Sequence, residues 1–527
     1  MLRAPVLWCA LLLLGCVVSA ASPASVLRIG NGQEPETLDP HRGEGVSTAN
    51  LLRDLYEGLT AIAPDGRVVP GAARGWEIAH GGRVYTFHLR PQARWSNGDP
   101  LTAEDFVAGL RRSVAPATGS SFAGILAPIV NATEISAGQL LPQALAVSAP
   151  DATTVRIRLK APAPHLLGLL SHPSTFPIHQ PSLRQWGAAF ARPGRLVSNG
   201  AYRLQDWVVQ SRVTLLRNRH YWNDAATQIE QVVYLPTEDL SSELKRYRAD
   251  ELDITFQIPL VQAPWIRQEL GEELRVATYL GVYYYGFNLT RAPFKDNRAL
   301  RQALAMVIDR ELIVGKVMNG LAQPAHAWVP PGTAGHLAQE PAWMRWPRER
   351  QLTEARRLYA EAGYSLQRPL EIELRYNTHE DHKRIAVVVA AMWKQHLGVR
   401  TRLLNEEAKV FLNNRRARKL TQVFRATWIG DYDDVSSFTD ILQSAHGQND
   451  TGWADAEYDA LLARAAASTD PHQRSALLAA AEARVLSEWP VIPIYWYVSK
   501  HLVKPRVRGW QDNLLDYRYS KDLRLAP

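Results

Sequence analysis

The sequence is poor in cysteine. Its 527 residues contain only two, Cys9 and Cys16, and both lie near the beginning of the printed sequence. The remaining chain can therefore form no disulfide and no cysteine-ligated metal site. We expect its stability to come from the packing of side chains.

Long hydrophobic runs are scarce as well. The clearest run, residues 6–18, follows Arg3 and precedes small residues that begin at Ser19. A charged start, a short apolar run and small residues are typical of a secretory signal peptide, which we place at residues 1–21. The run is too short to remain as a membrane span. We expect a periplasmic mature protein; cleavage before Cys16, with a lipid anchor on that residue, is the alternative.

The excess of charge of one sign is small. Lysine and arginine number 60 against 52 aspartate and glutamate, which gives a formal net charge of +8. Basic residues alternate with acids, as in residues 348–350, and no long block of one sign occurs. We interpret the charges as a solvated surface and expect no nucleic acid as a partner.

Motifs of common enzymes are missing too. The chain has no Gly-x-Ser-x-Gly elbow, His-Glu-x-x-His helix or P-loop. Ser242 and Lys245 fit a Ser-x-x-Lys pattern without a Lys-Thr-Gly partner, so we interpret residues 242–245 as an exposed helix segment. His379 and His382 are spaced for a shared metal, but spacing identifies no further ligand. We expect no enzyme, metal or cofactor; a peptide hydrolase is the alternative of another class.

What the sequence does contain is an alternation of strand and helix patterns. Apolar and polar side chains alternate over residues 84–89 and 154–159, as in half-buried strands. Thr102 and Asp105 have the spacing of a capping box, which predicts the start of a helix. The order strand, turn and helix follows from these patterns.

The second half of the chain contains a clearer unit. Residues 370–374 alternate between apolar and charged side chains. A helical pattern over residues 385–397 then stops at Gly398, before the strand pattern of residues 399–404. Strand, helix and strand in this order predict a βαβ crossover with parallel strands. The predicted fold class is therefore α/β, with at least two lobes.

Many stretches, in order, resemble the extracellular solute-binding proteins that serve peptide and nickel ABC importers. They begin with Glu34-Pro35-Glu36-Thr37-Leu38-Asp39-Pro40-His41 and extend over nearly the whole mature chain. The further matching stretches are residues 55–59, 75–77, 85–90, 94–98, 101–106, 199–202, 218–223, 283–285, 293–294, 308–310 and 358–363. Residues 197–202, 246–248, 376–378 and 502–505 are similar to the oligopeptide-binding members in particular.

The resemblance implies a two-lobed periplasmic-binding-protein (Venus-flytrap) fold with an extra subdomain on the first lobe. The expected first lobe takes residues 22–56, 181–280 and 498–527. The extra subdomain takes residues 57–180, and the second lobe takes residues 281–497. The chain then crosses between the lobes twice.

The resemblance also implies ligand contacts. Within residues 425–432, Asp431 matches the aspartate that binds the α-ammonium of a peptide in this family. Arg425 and His382 match positions that meet the carboxylate end of short peptides, and Arg415 serves similarly for another ligand length.

Further contacts are implied on both lobes. Glu44 and Val46 lie where the family forms backbone hydrogen bonds with the peptide. Gly281 and Tyr283 are expected near the wall of the cleft. Trp428 is expected in the pocket wall, although core packing explains a tryptophan there equally well.

The expected function is that of a monomeric substrate-binding subunit, which captures short peptides and delivers them to ABC permease subunits driven by a cytoplasmic ATPase. The sequence departs from the oligopeptide-binding members at Gly286, Met318, Ala408 and residues 256–257. These departures leave the preferred peptide open. A nickel or heme carrier and a carrier of murein peptides, both on the same fold, are the alternatives.

Overall fold

The computed structural model describes residues 25–526, apart from the side chains of residues 408 and 409. The expected signal peptide, residues 1–21, and the lipid-anchor alternative at Cys16 lie outside the described residues. The strands are β1 (Val26–Gly30), β2 (Thr60–Ile62), β3 (Val68–Pro70), β4 (Ala73–Ala79), β5 (Val84–Leu89), β6 (Val147–Asp151), β7 (Thr154–Arg158), β8 (Tyr202–Val208), β9 (Arg212–Arg217), β10 (Gln231–Leu235), β11 (Leu274–Phe287), β12 (Gln323–Pro324), β13 (Glu371–Asn377), β14 (Arg400–Glu406), β15 (Val423–Ile429), β16 (Val491–Leu502), β17 (Val507–Arg508) and β18 (Arg524–Leu525). The helices are α1 (Gly45–Leu55), α2 (Ala103–Val114), α3 (Ala132–Ser136), α4 (Leu166–Leu169), α5 (Gln180–Trp186), α6 (Leu240–Arg248), α7 (Ala263–Glu269), α8 (Arg298–Met306), α9 (Arg310–Leu312), α10 (Arg348–Glu361), α11 (Glu380–Leu397), α12 (Ala408–Ala417), α13 (Ser436–Thr439), α14 (Ala456–Ala467) and α15 (Pro471–Glu488).

The first lobe and the extra subdomain share one apolar core. A four-stranded sheet of order β1-β10-β9-β8 and an antiparallel sheet of order β4-β5-β7-β6 both contribute to it. Tyr85, Phe87 and Leu89 of β5 point into this core, as their alternation predicts. The predicted capping box is confirmed at the start of α2, where the Thr102 backbone N–H donates to the Asp105 carboxylate at 2.9 Å.

The second lobe contains a six-stranded sheet of order β12-β16-β11-β15-β13-β14. The predicted βαβ unit is confirmed, because β13 and β14 pair in parallel and α11 connects them. Helix α11 ends at Gly398, whose φ of 76° is the left-handed conformation that glycine adopts readily. The α/β fold class therefore agrees with the prediction.

Two long antiparallel strands connect the lobes. The 14-residue β11 and the 12-residue β16 pair with each other. Their pairing begins at Leu274 and Leu502 and continues into the second-lobe sheet. Their register is interrupted between Thr278 and Val282. There the Leu280 N–H instead donates to the Leu514 carbonyl at 2.8 Å. The expected boundaries between the lobes, at 280/281 and 497/498, fall inside these two strands. The cleft lies beside the interrupted pairing of β11 and β16.

Several family-type residues hold the first lobe to the extra subdomain. The buried Glu57 carboxylate accepts hydrogen bonds from the Tyr221 hydroxyl at 2.5 Å and the Trp222 indole at 2.6 Å, and it pairs with Lys521 at 2.9 Å. The Asn199 side-chain amide bonds both backbone groups of Glu57. These residues act in the fold and do not face the cleft cavities.

One expectation about exposure is wrong. Residues 242–245 lie on α6 as predicted, but Glu243 in their middle is fully buried. The helix turns Glu243, Leu244 and Tyr247 inward, and the Glu243 carboxylate accepts a hydrogen bond from the Phe256 N–H at 2.9 Å. Glu243 and the buried Tyr247 are four residues apart and therefore share the inner face of the helix, which a four-residue pattern does not reveal.

Candidate ligand-binding site

Three cavities with shared lining residues run along the cleft. The acidic cavity, of about 600 Å³, is lined by Asp431 and Asp433 of the second lobe and by His165 of the extra subdomain. The middle cavity, of about 210 Å³, is also lined by Asp431. The lysine cavity, of about 340 Å³, shares Val46 with the middle cavity and is lined by Lys500. Together they form one route between the lobes.

Asp431 lies two residues beyond the end of β15. Its backbone N–H donates to the Ser437 hydroxyl at 3.0 Å, which fixes the turn. Within residues 25–526 no hydrogen-bond donor or cation contacts its carboxylate. Asp431 is exposed to the cavities that it lines, and desolvation by the surrounding protein raises its pKa to about 6. The cleft thus contains an uncompensated carboxylate suited to an incoming ammonium group.

A second carboxylate in the acidic cavity was not predicted. Asp433 accepts a hydrogen bond from the Ala334 N–H at 2.8 Å and has no cationic partner in the described chain. Desolvation, with a contribution from neighbouring Asp434, raises its pKa. Asp434 differs, because Arg474 holds it with two hydrogen bonds of 2.7 and 2.8 Å. The acidic run 431–434 was the available signal, but only the fold shows that Asp434 has a cationic partner and that Asp431 and Asp433 have none in the described chain.

The extra subdomain contacts the second lobe directly beside Asp431. The His165 ring stacks on Tyr432, with ring centroids 4.7 Å apart and an angle of 13° between the planes. Desolvation lowers the pKa of His165 to about 4, so the ring is neutral at physiological pH. This contact closes one end of the acidic cavity.

Arg425, His382 and Tyr283 form a second cluster. The Arg425 guanidinium lies 5.0 Å from the Tyr283 ring centroid and donates to the Asn377 side-chain oxygen at 3.3 Å. His382 packs on the other side, its ring 5.6 Å from Tyr283. Desolvation, followed by the charge of Arg425, lowers the pKa of His382 to about 3. The guanidinium has no carboxylate partner among the described residues, and none of these three residues lines the three cleft cavities.

Thr427 connects this cluster to the cleft. Arg425 donates a hydrogen bond to the Thr427 hydroxyl, and Thr427 lines the lysine cavity. Lys500 lines this cavity and the Arg425 guanidinium contacts its wall through Thr427, whereas Asp431 lines the other two cavities.

On the first lobe, the expected contacts lie at the beginning of α1. Val46 lines both the middle cavity and the lysine cavity. Glu44 is exposed and accepts a hydrogen bond from the Ser121 hydroxyl. Gly45 between them has a φ of 77° and lines the middle cavity. The backbone of this segment therefore faces the route of a ligand.

Gly281 is buried beside residues that line the lysine cavity. It pairs with Ile429 in the β11–β15 ladder, and a side chain at this position would crowd Ile429 and the Tyr497 ring. Ile429 and Tyr497 both line the lysine cavity. Glycine thus permits the close packing of two cleft-lining side chains.

Arg415 and Trp428 lie elsewhere. Arg415 forms an ion pair of 2.6 Å with Asp450, and the Trp428 indole donates to the Ser437 carbonyl at 2.6 Å. Trp428 alternates with Thr427 along β15, so it faces the core of the second lobe. Neither residue lines the three cleft cavities.

A cavity outside the cleft, of about 1070 Å³, lies at the sheet edge formed by β13 and β14, and none of the expected site residues lines it. Across residues 25–526, no three His, Cys, Asp or Glu side chains are grouped to hold a metal ion. No helix in this part of the chain is long and apolar enough to cross a membrane.

Comparisons with known proteins agree with this architecture. The chain is 39% identical over 510 residues to the periplasmic oligopeptide-binding protein OppA of Escherichia coli K12, which covers 96% of this chain and 93% of that protein. It is 39% identical over 505 residues to the probable deoxycholate-binding periplasmic protein YgiS of the same organism, covering 95% and 94%. The solved unliganded open form of the periplasmic murein tripeptide-binding protein MppA superposes with a TM-score of 0.85 at 36% identity, covering 96% and 98%.

A family model provides the assignment. The model for the bacterial extracellular solute-binding proteins, family 5 Middle, matches residues 67–450, which include β11, Asp431 and most of residues 57–180. With the two-lobed fold and the cleft already described, this match and the full-length relatives lead to one conclusion. The chain belongs to family 5 of the bacterial extracellular solute-binding proteins.

Proposed function

We propose that the protein is the substrate-binding subunit of an ABC importer for short peptides. The observation that carries the proposal is the Asp431 carboxylate, which faces the cleft without a cationic partner in the described chain. A peptide brings an α-ammonium to this group, and the ion pair forms where water is limited and attraction is stronger. The oligopeptide-binding relative supports this ligand class.

Capture then proceeds by closure of the lobes. The first lobe is residues 22–56, 181–280 and 498–527, with the subdomain at 57–180, and the second lobe is 281–497. A bound peptide contacts Val46 on one lobe and Asp431 on the other, so it favours the closed state over the open one. The closed monomer, in the periplasm after loss of its signal peptide, delivers the peptide unchanged to permease subunits with a cytoplasmic ATPase.

A carrier of murein peptides is the second candidate. The similarity to the open form of MppA, at a TM-score of 0.85, favours it. Such ligands also present an ammonium and carboxylates, so the same cleft accommodates both classes.

The test is calorimetry of the mature protein with peptides of two to five residues, each with a free or an acetylated amino end. We expect the free peptides to bind and acetylation or Asp431→Asn to weaken binding at least ten-fold. Asp296→Asn, at an exposed site outside the cleft cavities, is the matched control and should bind normally. The proposal would be contradicted if acetylation left the affinity unchanged, or if the protein bound deoxycholate and no peptide.

A further inference from the structure

Lys500 is an unpaired cation in the wall of the cleft. It lies on β16 and lines the lysine cavity, together with Arg518, Thr427 and Tyr497. Its ammonium makes one long contact, 3.5 Å to the Val498 carbonyl. No carboxylate lies within ion-pair distance of it in residues 25–526. Desolvation lowers the pKa of this half-buried group more than the charges of Asp516 and Asp381 raise it, so the ammonium is only partly compensated.

The acids around Lys500 are engaged elsewhere. Asp516, which also lines the lysine cavity, accepts a hydrogen bond of 2.7 Å from Arg518 and lies 3.1 Å from His501. Asp381, at the start of α11, lies 3.8 Å from Arg384. Neither acid forms an ion pair with Lys500.

The buried acid behind the cavity does not compensate Lys500 either. The Glu243 carboxylate is held by the Phe256 N–H, and Phe256 forms part of the cavity wall. Burial raises the pKa of Glu243 to about 7, which reduces its charge at neutral pH. The lysine cavity therefore has a net excess of one positive charge, from Lys500.

The lysine cavity is connected to Asp431 through the middle cavity. The middle cavity joins the lysine cavity through Val46, Tyr279 and Ile429, and it joins the acidic cavity through Asp431. A ligand whose ammonium contacts Asp431 therefore extends along the route toward Lys500. An unpaired cation in a confined space favours an anionic ligand group through a charge-assisted hydrogen bond.

We propose that Lys500 is a specificity-determining residue, which binds a carboxylate of the ligand and selects peptides that present one in the lysine cavity. The inference rests on the proposed peptide-binding function and adds a ligand class to it. The carboxylate has two possible sources, the free carboxyl end of a short peptide or an acidic side chain of a longer one. The experiment distinguishes them.

The experiment measures binding by calorimetry to the mature native protein and to Lys500→Met. One arm uses alanine peptides of two to five residues, each as the free acid and as the carboxyl-terminal amide. The other arm uses an alanine tripeptide with a free amino end and an amidated carboxyl end. One of its alanines is replaced by glutamate or, for comparison, by glutamine. Lys394→Met is the matched control, because Lys394 is an exposed lysine on α11 without an ion pair in the described chain.

We expect the native protein to prefer a carboxylate at least ten-fold in one arm, and Lys500→Met to lose that preference while Lys394→Met keeps it. A preference for the free acid at one length assigns the peptide end, and a preference for glutamate assigns a side chain. Lys500→Arg should retain most of the preference, which separates a charge effect from misfolding. Equal preferences in the native protein and Lys500→Met, with peptides still bound, overturn the inference. If no peptide binds the native protein, the proposed function fails and this inference with it.

Discussion

Peptide affinity should fall as the pH is lowered from 7 to 5, because Asp431 must be ionised to bind an ammonium. Its pKa in the ligand-free cleft is raised to about 6. The carboxyl is then roughly nine-tenths ionised at pH 7 and about one-tenth ionised at pH 5. The α-amino group, with an ordinary pKa of about 7.7–8.0, stays protonated over this range. The expected loss of affinity is therefore about ten-fold.

The direction of this effect follows from the raised pKa. An aspartate with an ordinary pKa near 3.9 would be ionised at both pH values and would give no change. Binding near pH 6 should also release a proton, since the ammonium lowers the pKa of the carboxyl in the complex. Calorimetry in two buffers of different ionisation enthalpy counts that proton.

Other groups titrate nearby, so the variant is essential. Burial raises the pKa of Asp54 to about 6 and that of Asp440 to about 7, and neither lines the three cleft cavities. His165 and His382 stay neutral throughout, because their pKa values are lowered to about 4 and 3. Asp431→Asn keeps all of these groups. Its peptide affinity should be weak and should not fall ten-fold between pH 7 and pH 5. The same fall in the variant, or a native change below about two-fold, refutes the reasoning.

Two predictions concern stability. Gly200→Ala places a methyl carbon 2.6 Å from the backbone carbonyl of Asp54, so the free energy of unfolding in urea should fall by about 1–3 kcal/mol. Gly124→Ala, with no atom within 4 Å of the new carbon, is the control and should leave it unchanged. Asp434→Ala leaves the buried Arg474 without its two-hydrogen-bond partner, and the same measurement should show a loss of about 3–5 kcal/mol. A loss below about 1 kcal/mol would mean that water solvates the arginine.

Local patterns account for much of the fold. The alternation in residues 84–89 and 370–374 records burial on one face of a strand, and the Thr102–Asp105 spacing records a local hydrogen bond. The sequence carries these signals because each depends on residues close in the chain. The burial of Glu243 depends on how α6 packs against distant segments, and no local spacing encodes that contact.

The expected site residues came from the family pattern, and their role in binding stays a prediction. Asp431 lines two of the cleft cavities, whereas Arg425 and His382 lie in the cluster around Tyr283. Lys500 was not singled out, because the sequence does not show that this strand lysine lacks an ion-pair partner in the described part of the folded protein. Arg415 was expected in the site, but its pairing with Asp450 joins residues 35 positions apart and is visible only in three dimensions.

The core shared by the first lobe and the extra subdomain determines how many parts can move. Leu51 of the first lobe and Phe106 of the subdomain belong to one buried cluster, whereas Tyr285 belongs to the cluster of the second lobe. Rotation between subdomain and first lobe would divide their shared cluster and expose apolar surface. The cluster of the second lobe includes few residues from the other parts, among them Ile62, Leu515 and Tyr519, so a rotation at β11 and β16 would separate fewer buried contacts. We therefore expect the subdomain and the first lobe to move as one body, and one pair of spectroscopic labels, on the subdomain and on the second lobe, to follow that motion.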